Sequence, residues 1–321
     1  MKQVILRVLV SAGIGGMMSA KAQNYPTKPI RILVGFAAGG PSDVAARTVA
    51  QKLTEKWGQT VIVDIRPGAG GNIATDLAAK SANDGYTLLE PAFAHAVNPV
   101  LYPKLPFDAI NDFAPILLFA SIANLLVVHP SMPVHTVKEL MVFAKTHQNQ
   151  LSYGSAGIGT ASHFAGELMN LMGGISVRHI PYKGLTPAHV DVMSGQLSMI
   201  FDGIVNAMPT VKAGKLRAIA VTTLKRWQGA AEVPTMSEGG LKGFEVNSWY
   251  GLVAPAGTPK EIISRLNLEV TRSLREPDAK ERLYSIGAEP MTTTPEEFGA
   301  YIRSEMAKWG KVIQSAHIKV E

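Results

Sequence analysis

The stretch Ile30-Arg31-Ile32-Leu33-Val34-Gly35-Phe36-Ala37-Ala38-Gly39-Gly40-Pro41-Ser42-Asp43-Val44-Ala45-Ala46-Arg47-Thr48-Val49 decides the fold. Ile30–Gly35 is β-branched and apolar and reads as a buried strand. Glycines follow, and from Ser42 to Lys56 the positions Val44, Ala45, Thr48, Val49 and Leu53 share one helical face. A strand that feeds a helix through a short glycine-rich loop is half of a βαβ unit, so the chain is expected to build parallel sheet with helices on its faces.

The same alternation continues on either side. Thr60–Ile65 and Tyr86–Glu90 read as strands, with a helix over Asn72–Ala82 between them. Phe113 to Val128 is apolar, but Pro115, Ser121 and Asn124 interrupt it, so it reads as two short buried strands rather than a membrane span. Thr136-Val137-Lys138-Glu139 is a capping box that starts a helix. Strands Leu151–Gly154, Val177–Tyr182, Leu197–Asp202 and Leu216–Thr222 then alternate with helices, Glu245–Ala254 is a further strand, and the remainder is helical. The sequence thus predicts an α/β protein of two lobes, each a mostly parallel sheet flanked by helices. No floppy linker separates them, so two chain crossings are expected, near Ala120–Leu125 and Asn247–Leu252. Lobe 1 takes residues 23–123 and 249–321, and lobe 2 takes residues 124–248. Trp249 and Tyr250, at the second crossing, read as hinge packing.

Residues 1–22 read as a signal peptide. Lys2 and Arg7 give it a positive start, Val8–Met18 carries no charge, and Ala20-Lys21-Ala22 predicts cleavage before Gln23, hence a periplasmic location. The chain's formal charge is +6, and three of those charges (Lys2, Arg7, Lys21) lie in that leader. The +3 that remains is scattered, which argues against a nucleic-acid partner. The chain has no cysteine, so no disulfide, thiolate metal site or cysteine nucleophile is available.

In open α/β sheets, ligands sit beyond the carboxyl ends of the strands. Two of the loops there are glycine-rich and run straight into helices: Phe36–Asp43, with Gly39, Gly40 and Ser42, and Ser155–Thr160, with Gly157 and Gly159. Helix-start amides and the helix dipole suit an anion. Each loop alone could equally be a tight turn in which Ser42 or Thr160 caps its helix. The pair, one from each lobe, favours binding. Asp43 and Asp202 are further cleft candidates, as are Phe93 and His95 on the loop expected after Glu90. The spacing at 154–159 is G-x-x-G-x-G and fits neither a dinucleotide nor a phosphate loop. No G-x-S-x-G or H-E-x-x-H is present, so neither a catalytic residue nor a metal site is assigned.

Tyr25-Pro26-Thr27-Lys28-Pro29-Ile30-Arg31, Phe36–Asp43 and Arg66-Pro67-Gly68-Ala69-Gly70-Gly71-Asn72 resemble the substrate-binding proteins of tripartite tricarboxylate transporters, the Bug family. So do Asp84-Gly85-Tyr86-Thr87-Leu88, Pro181-Tyr182-Lys183-Gly184, Ala213-Gly214-Lys215-Leu216-Arg217 and Leu252–Pro259. The resemblance runs in one order through the mature chain. It implies a periplasmic binding protein fold of the second type and an interlobe cleft that takes a small organic carboxylate, either a dicarboxylate or an aromatic acid. It also implies delivery to membrane permease subunits. The chain is expected to act as a monomer, without a cofactor and not as an enzyme. Ligand contacts carry over to Phe36–Asp43 and Ser155–Thr160, and Asp202 matches the family's Phe-Asp pair. The departure lies at Glu90-Pro91-Ala92-Phe93-Ala94-His95, where small glycine, serine or threonine residues are usual; Phe93 there favours an aromatic or longer-chain acid over a citrate-like one. A sensor subunit for a membrane receptor would share this fold and cleft, and an exported hydrolase is the third reading.

Overall fold

A computed structural model describes residues 25–102, 104–316 and 318 of the chain. The expected signal peptide and its cleavage site lie outside the described residues.

Strand β1 (Ile30–Val34) lies parallel to β2 (Val61–Ile65) on one side and to β3 (Thr87–Glu90) on the other. Ile30, Ile32, Leu33 and Val34 are all fully buried, as a parallel strand covered on both faces requires. Helix α1 (Pro41–Trp57) crosses one face, and α2 (Asn72–Ala79) follows β2. Beyond β3 the strand direction reverses. Strand β9 (Asn247–Pro255) runs antiparallel to both β3 and the long β4 (Phe113–Val128). The second half has β5 (Ser152–Ser155) parallel to β6 (Arg178–Pro181) and to β7 (Met199–Gly203). Strand β8 (Arg217–Val221) pairs antiparallel with β4. The main path is β2-β1-β3-β9-β4-β7-β5-β6, so the sheet is mixed: parallel where the glycine-rich loops emerge, antiparallel along its spine.

The spine is β4, and here the structure corrects the expectation of two short strands. All 16 residues form one strand. Its part up to Ala123 pairs with β9, and Asn124–Val128 lie between β7 and β8. Pro115 has no amide to give, but the register shifts between Pro115 and Leu117 and again between Leu118 and Ala120, and these bulges absorb it. Asn124 does not interrupt the ladder either. Its amide donates to Thr222 Oγ1 at 3.1 Å, and its carbonyl accepts the Thr222 amide at 2.9 Å.

Two elements are absent from the sequence reading. Phe93–Leu101, expected to begin as a loop, is helix α3. Its N-cap is Ala92, which offers no capping side chain, and Pro99 sits inside it, so both the usual start signal and an unbroken helical pattern are missing. The three-residue β10 (Ala288–Pro290) pairs with β4 at Ala120–Ile122. The other helices are α4 (Val137–Thr146), α5 (Ala161–Gly173), α6 (Leu185–Met193), α7 (Ile204–Lys212), α8 (Lys260–Ser273), α9 (Pro277–Tyr284) and α10 (Pro295–Ala316). Thr136 caps α4, accepting the Glu139 amide at 3.1 Å, as its capping box predicts. No helix among the described residues is long and apolar enough to cross a membrane.

An aromatic cluster joins three helices far apart in the chain. Phe93 on α3 lies 5.7 Å from Phe164 on α5 and 5.1 Å from Trp309 on α10, while Phe164 and Trp309 are 5.2 Å apart. Trp309 is fully buried, and its indole N–H donates to Glu305 at 2.9 Å. Trp309→Ala should lower the unfolding free energy by about 3–5 kcal/mol, read from urea titration. A loss below about 1 kcal/mol would show that the three helices do not depend on this ring.

Candidate functional site

The helix that follows β1 starts without a side-chain cap: Gly40 is its N-cap and Pro41 its first residue. Gly39 takes φ +80 and donates its amide to Asp43 Oδ2 at 2.8 Å, which folds the loop back on its own helix. In the second loop, Gly157 donates to Ser155 Oγ at 3.0 Å and Gly159 to His163 Nδ1 at 3.3 Å. Thr160 is the N-cap of α5; its Oγ1 accepts the His163 amide at 3.4 Å and donates to the Gly157 carbonyl at 2.7 Å. Gly159, at φ +84, lies so near the first half of the chain that a Cβ there would sit 3.3 Å from Leu101 Cδ2.

These two loops face each other across a cleft of about 320 Å³. Phe36, Gly40 and Ser42 line it from one side, and Gly159 and Thr160 from the other. Phe93 and Trp249 are among its apolar lining residues. A second hollow of about 390 Å³ adjoins it, sharing Pro41, Ser248 and Tyr250 and lined further by Gly39, Asn124 and Asn206. Among the described residues, no Lys, Arg, His, Asp or Glu lines either hollow. An anion entering here meets helix starts, hydroxyls and amides rather than a cation.

Other residues singled out from the sequence lie elsewhere. Asp43 is buried with its carboxylate on Arg47 Nε at 2.7 Å and on the Gly39 amide, so it shapes the loop and does not line the cleft. His95 sits on α3 behind the cleft wall, with Nε2–H donating to the Ala109 carbonyl at 2.9 Å, and burial lowers its pKa to about 4. Ser155 is fully buried against His179 Nε2 at 2.6 Å. A Cβ on Gly157 would lie 3.2 Å from the Tyr182 carbonyl, so that glycine allows close loop packing. Asp202 is 1 % exposed, accepts from His189 Nδ1 at 2.6 Å and takes the Gly203 amide at 2.7 Å. Phe93 lines the cleft, but its ring is only 5 % exposed and is engaged with Phe164 and Trp309.

Sequence reasoning missed Asn98, Leu101 and Tyr102, which reach the cleft through the unrecognised helix α3. Trp249 and Tyr250, read as hinge packing, also line it. A buried donor in each hollow has no hydrogen-bond partner, Trp249 Nε1 in the cleft and Asn124 Nδ2 in the adjoining one. Asn124 was read only as a strand interrupter; a polar residue in an apolar run was the signal.

The chain is similar to several known proteins. The model of the tripartite tricarboxylate transporter family receptor matches residues 45–318. Protein BugT of Bordetella pertussis is 33 % identical over 315 residues, spanning 98 % of this chain and 96 % of that protein. The solved structure of R. palustris Rpa4515 with adipate is 36 % identical with a TM-score of 0.78, covering 92 % of this chain and 99 % of that one. MatC from Rhodopseudomonas palustris, with bound malate, is 31 % identical with a TM-score of 0.74, covering 90 % and 100 %.

The neutral His95 gives a pH test. Its pKa falls from 6.5 to about 4 on folding because burial disfavours the cation. Its stabilising share is therefore complete above pH 6.5 and is lost as the pH falls towards 4, where the unfolded chain takes up the proton first. His95→Gln, which keeps a donor for Ala109, should flatten that part of the acid sensitivity in urea unfolding. Parallel pH curves for the variant and the natural protein would contradict a buried neutral imidazole.

Proposed function

The chain belongs to the tripartite tricarboxylate transporter receptor family, and from that premise we propose that it captures a small organic carboxylate in the interlobe cleft and hands it to the permease subunits of such a transporter. In this reading residues 1–22 direct export and are removed before Gln23. Residues 23–123 with 249–321 form one lobe and residues 124–248 the other. The receptor acts in the periplasm as a monomer and performs no catalytic step.

The single observation that carries the proposal is the uncharged cleft between two helix-starting glycine loops. A carboxylate leaving water needs several hydrogen-bond donors, and helix-start amides supply them together with a favourable dipole. The relatives solved with adipate and malate support a carboxylate as ligand. The ligand contacts proposed are Phe36, Gly39, Gly40 and Ser42 on one lobe and Gly159 and Thr160 on the other. Phe93, Trp249 and Tyr250 form its apolar surround. Asp43, Ser155, Gly157 and Asp202 hold the loops in shape from behind. A ligand that engages both loops binds fully only when they are close, so it favours the closed form by its differential affinity.

Gly159→Asp puts a bulky anion where the ligand's charge would sit, at a backbone angle that L side chains rarely adopt. It should cut the affinity for adipate, malate or benzoate, whichever the natural protein binds, by at least about a hundredfold in calorimetry, some 2.7 kcal/mol. Affinity within about threefold of the natural protein would contradict the loop assignment. Separately, N-terminal sequencing of protein from a periplasmic extract should begin at Gln23, and an intact Met1 on soluble protein would sink the export reading.

A further inference from the structure

Glu90 ends β3 where the resemblance leads one to expect a small residue, and it is 2 % exposed. Its Oε2 lies 2.7 Å from Ser42 Oγ, and Ser42 lines the cleft. Its Oε1 is buried with no hydrogen-bond partner. Among the described residues, no Lys or Arg lines the small hollow around it. The titratable and charged groups packed nearby give an anion no support. From α1 comes the Asp43 carboxylate, already paired with Arg47 at 2.7 Å. From β9 comes the Tyr250 phenol, whose own ionisation Glu90 disfavours. From α3 comes His95, held neutral by burial.

We infer that Glu90 is a positioning residue of the cleft: as a neutral carboxylic acid it donates its proton to Ser42 Oγ and thereby turns the Ser42 hydroxyl hydrogen towards the ligand's carboxylate. Hydroxyl chemistry decides between the two possible arrangements. Serine has one hydrogen to give and two lone pairs to offer. An ionised Glu90 is an acceptor only; it would take the Ser42 hydrogen and leave lone pairs facing an anionic ligand, which repels it. A neutral Glu90 reverses the bond, and Ser42 becomes a donor to the cleft. Desolvation favours the second arrangement, because a buried carboxylate with an unpartnered oxygen is far costlier than a buried acid with an unpartnered carbonyl. Burial accordingly raises the Glu90 pKa well above the ordinary carboxylate range, and the neighbouring Asp43 charge adds to that.

The ligand half of this inference rests on the carboxylate-receptor reading, whereas the proton on Glu90 can be observed without any ligand. Infrared spectra of the full mature chain at neutral pH should show the carbonyl stretch of a protonated carboxyl that is missing from Glu90→Gln. Absence of that difference overturns the inference. Calorimetry with adipate and benzoate across a range from mildly acidic to alkaline pH tests the coupling. Affinity of the natural protein should fall by up to about tenfold per pH unit once free Glu90 ionises. Glu90→Gln, whose amide can donate to Ser42 in the same way, should keep the neutral-pH affinity and lose that slope, whereas Glu90→Leu should bind more weakly at every pH. A slope that persists in Glu90→Gln, or Gln and Leu variants that bind alike, overturns the positioning role. Failure of the natural protein to bind either acid at any pH counts against the receptor reading instead, and the infrared difference then decides the state of Glu90 by itself.

Discussion

A carboxylate cannot leave water without replacement hydrogen bonds, and among the described residues no cation lines this cleft to receive it. On the proposed reading, that constraint organises the rest of the structure. Without lysine or arginine, the donors must be main-chain amides, hydroxyls and neutral side-chain N–H groups such as those of Trp249 and Asn124, and the densest supply of free amides is at helix starts. The uncapped α1 start at Gly40-Pro41 and the α5 start at Thr160 open on opposite walls of the same cleft. Each is carried on a strand of a parallel run, β1 and β5, whose carboxyl end lies at the cleft.

Opposition of the two loops depends on β4. Because it is continuous from Phe113 to Val128, it pairs with β9 in one half and with β7 and β8 in the other, tying both parallel runs to one backbone. The ring cluster of Phe93, Phe164 and Trp309 sits beside the cleft and bridges α3, α5 and α10. It brings Phe93 to the cleft wall while fixing its ring in the core, so Phe93 contributes shape and apolar surface from a rigid mount. A mobile side chain there would have to be ordered by each ligand in turn.

Much of this was legible in the sequence because local and global signals agree. Strand β1, the glycine loop and α1 follow directly from Ile30–Leu53, and the Thr136 capping box begins a helix as expected. Which loops reach the cleft was legible in the sequence, and which side chains line it was less so. Asp43, His95, Ser155 and Asp202 sit in or next to segments that reach the cleft, yet each is turned to a partner within its own half: Arg47, Ala109, His179 and His189. Strand and loop patterns fix which segment reaches the cleft, but not which way a short polar side chain turns once a neighbour can satisfy it. Helix α3 stayed hidden because Ala92 gives no cap signal and Pro99 breaks the pattern, and Asn98, Leu101 and Tyr102 went with it. Glu90 is the opposite case, a charged residue type at a buried strand end whose meaning appears only beside Ser42.

The account stands on one claim, that the cleft holds a small organic anion by uncharged donors from both loops. Native mass spectrometry of protein gently released from the periplasm tests it directly. The account predicts a population carrying one small molecule per chain, released on denaturation and identified as a carboxylic acid. A bound compound that is cationic or wholly uncharged, or a chain that remains unliganded when titrated with a broad set of organic acids, would contradict it.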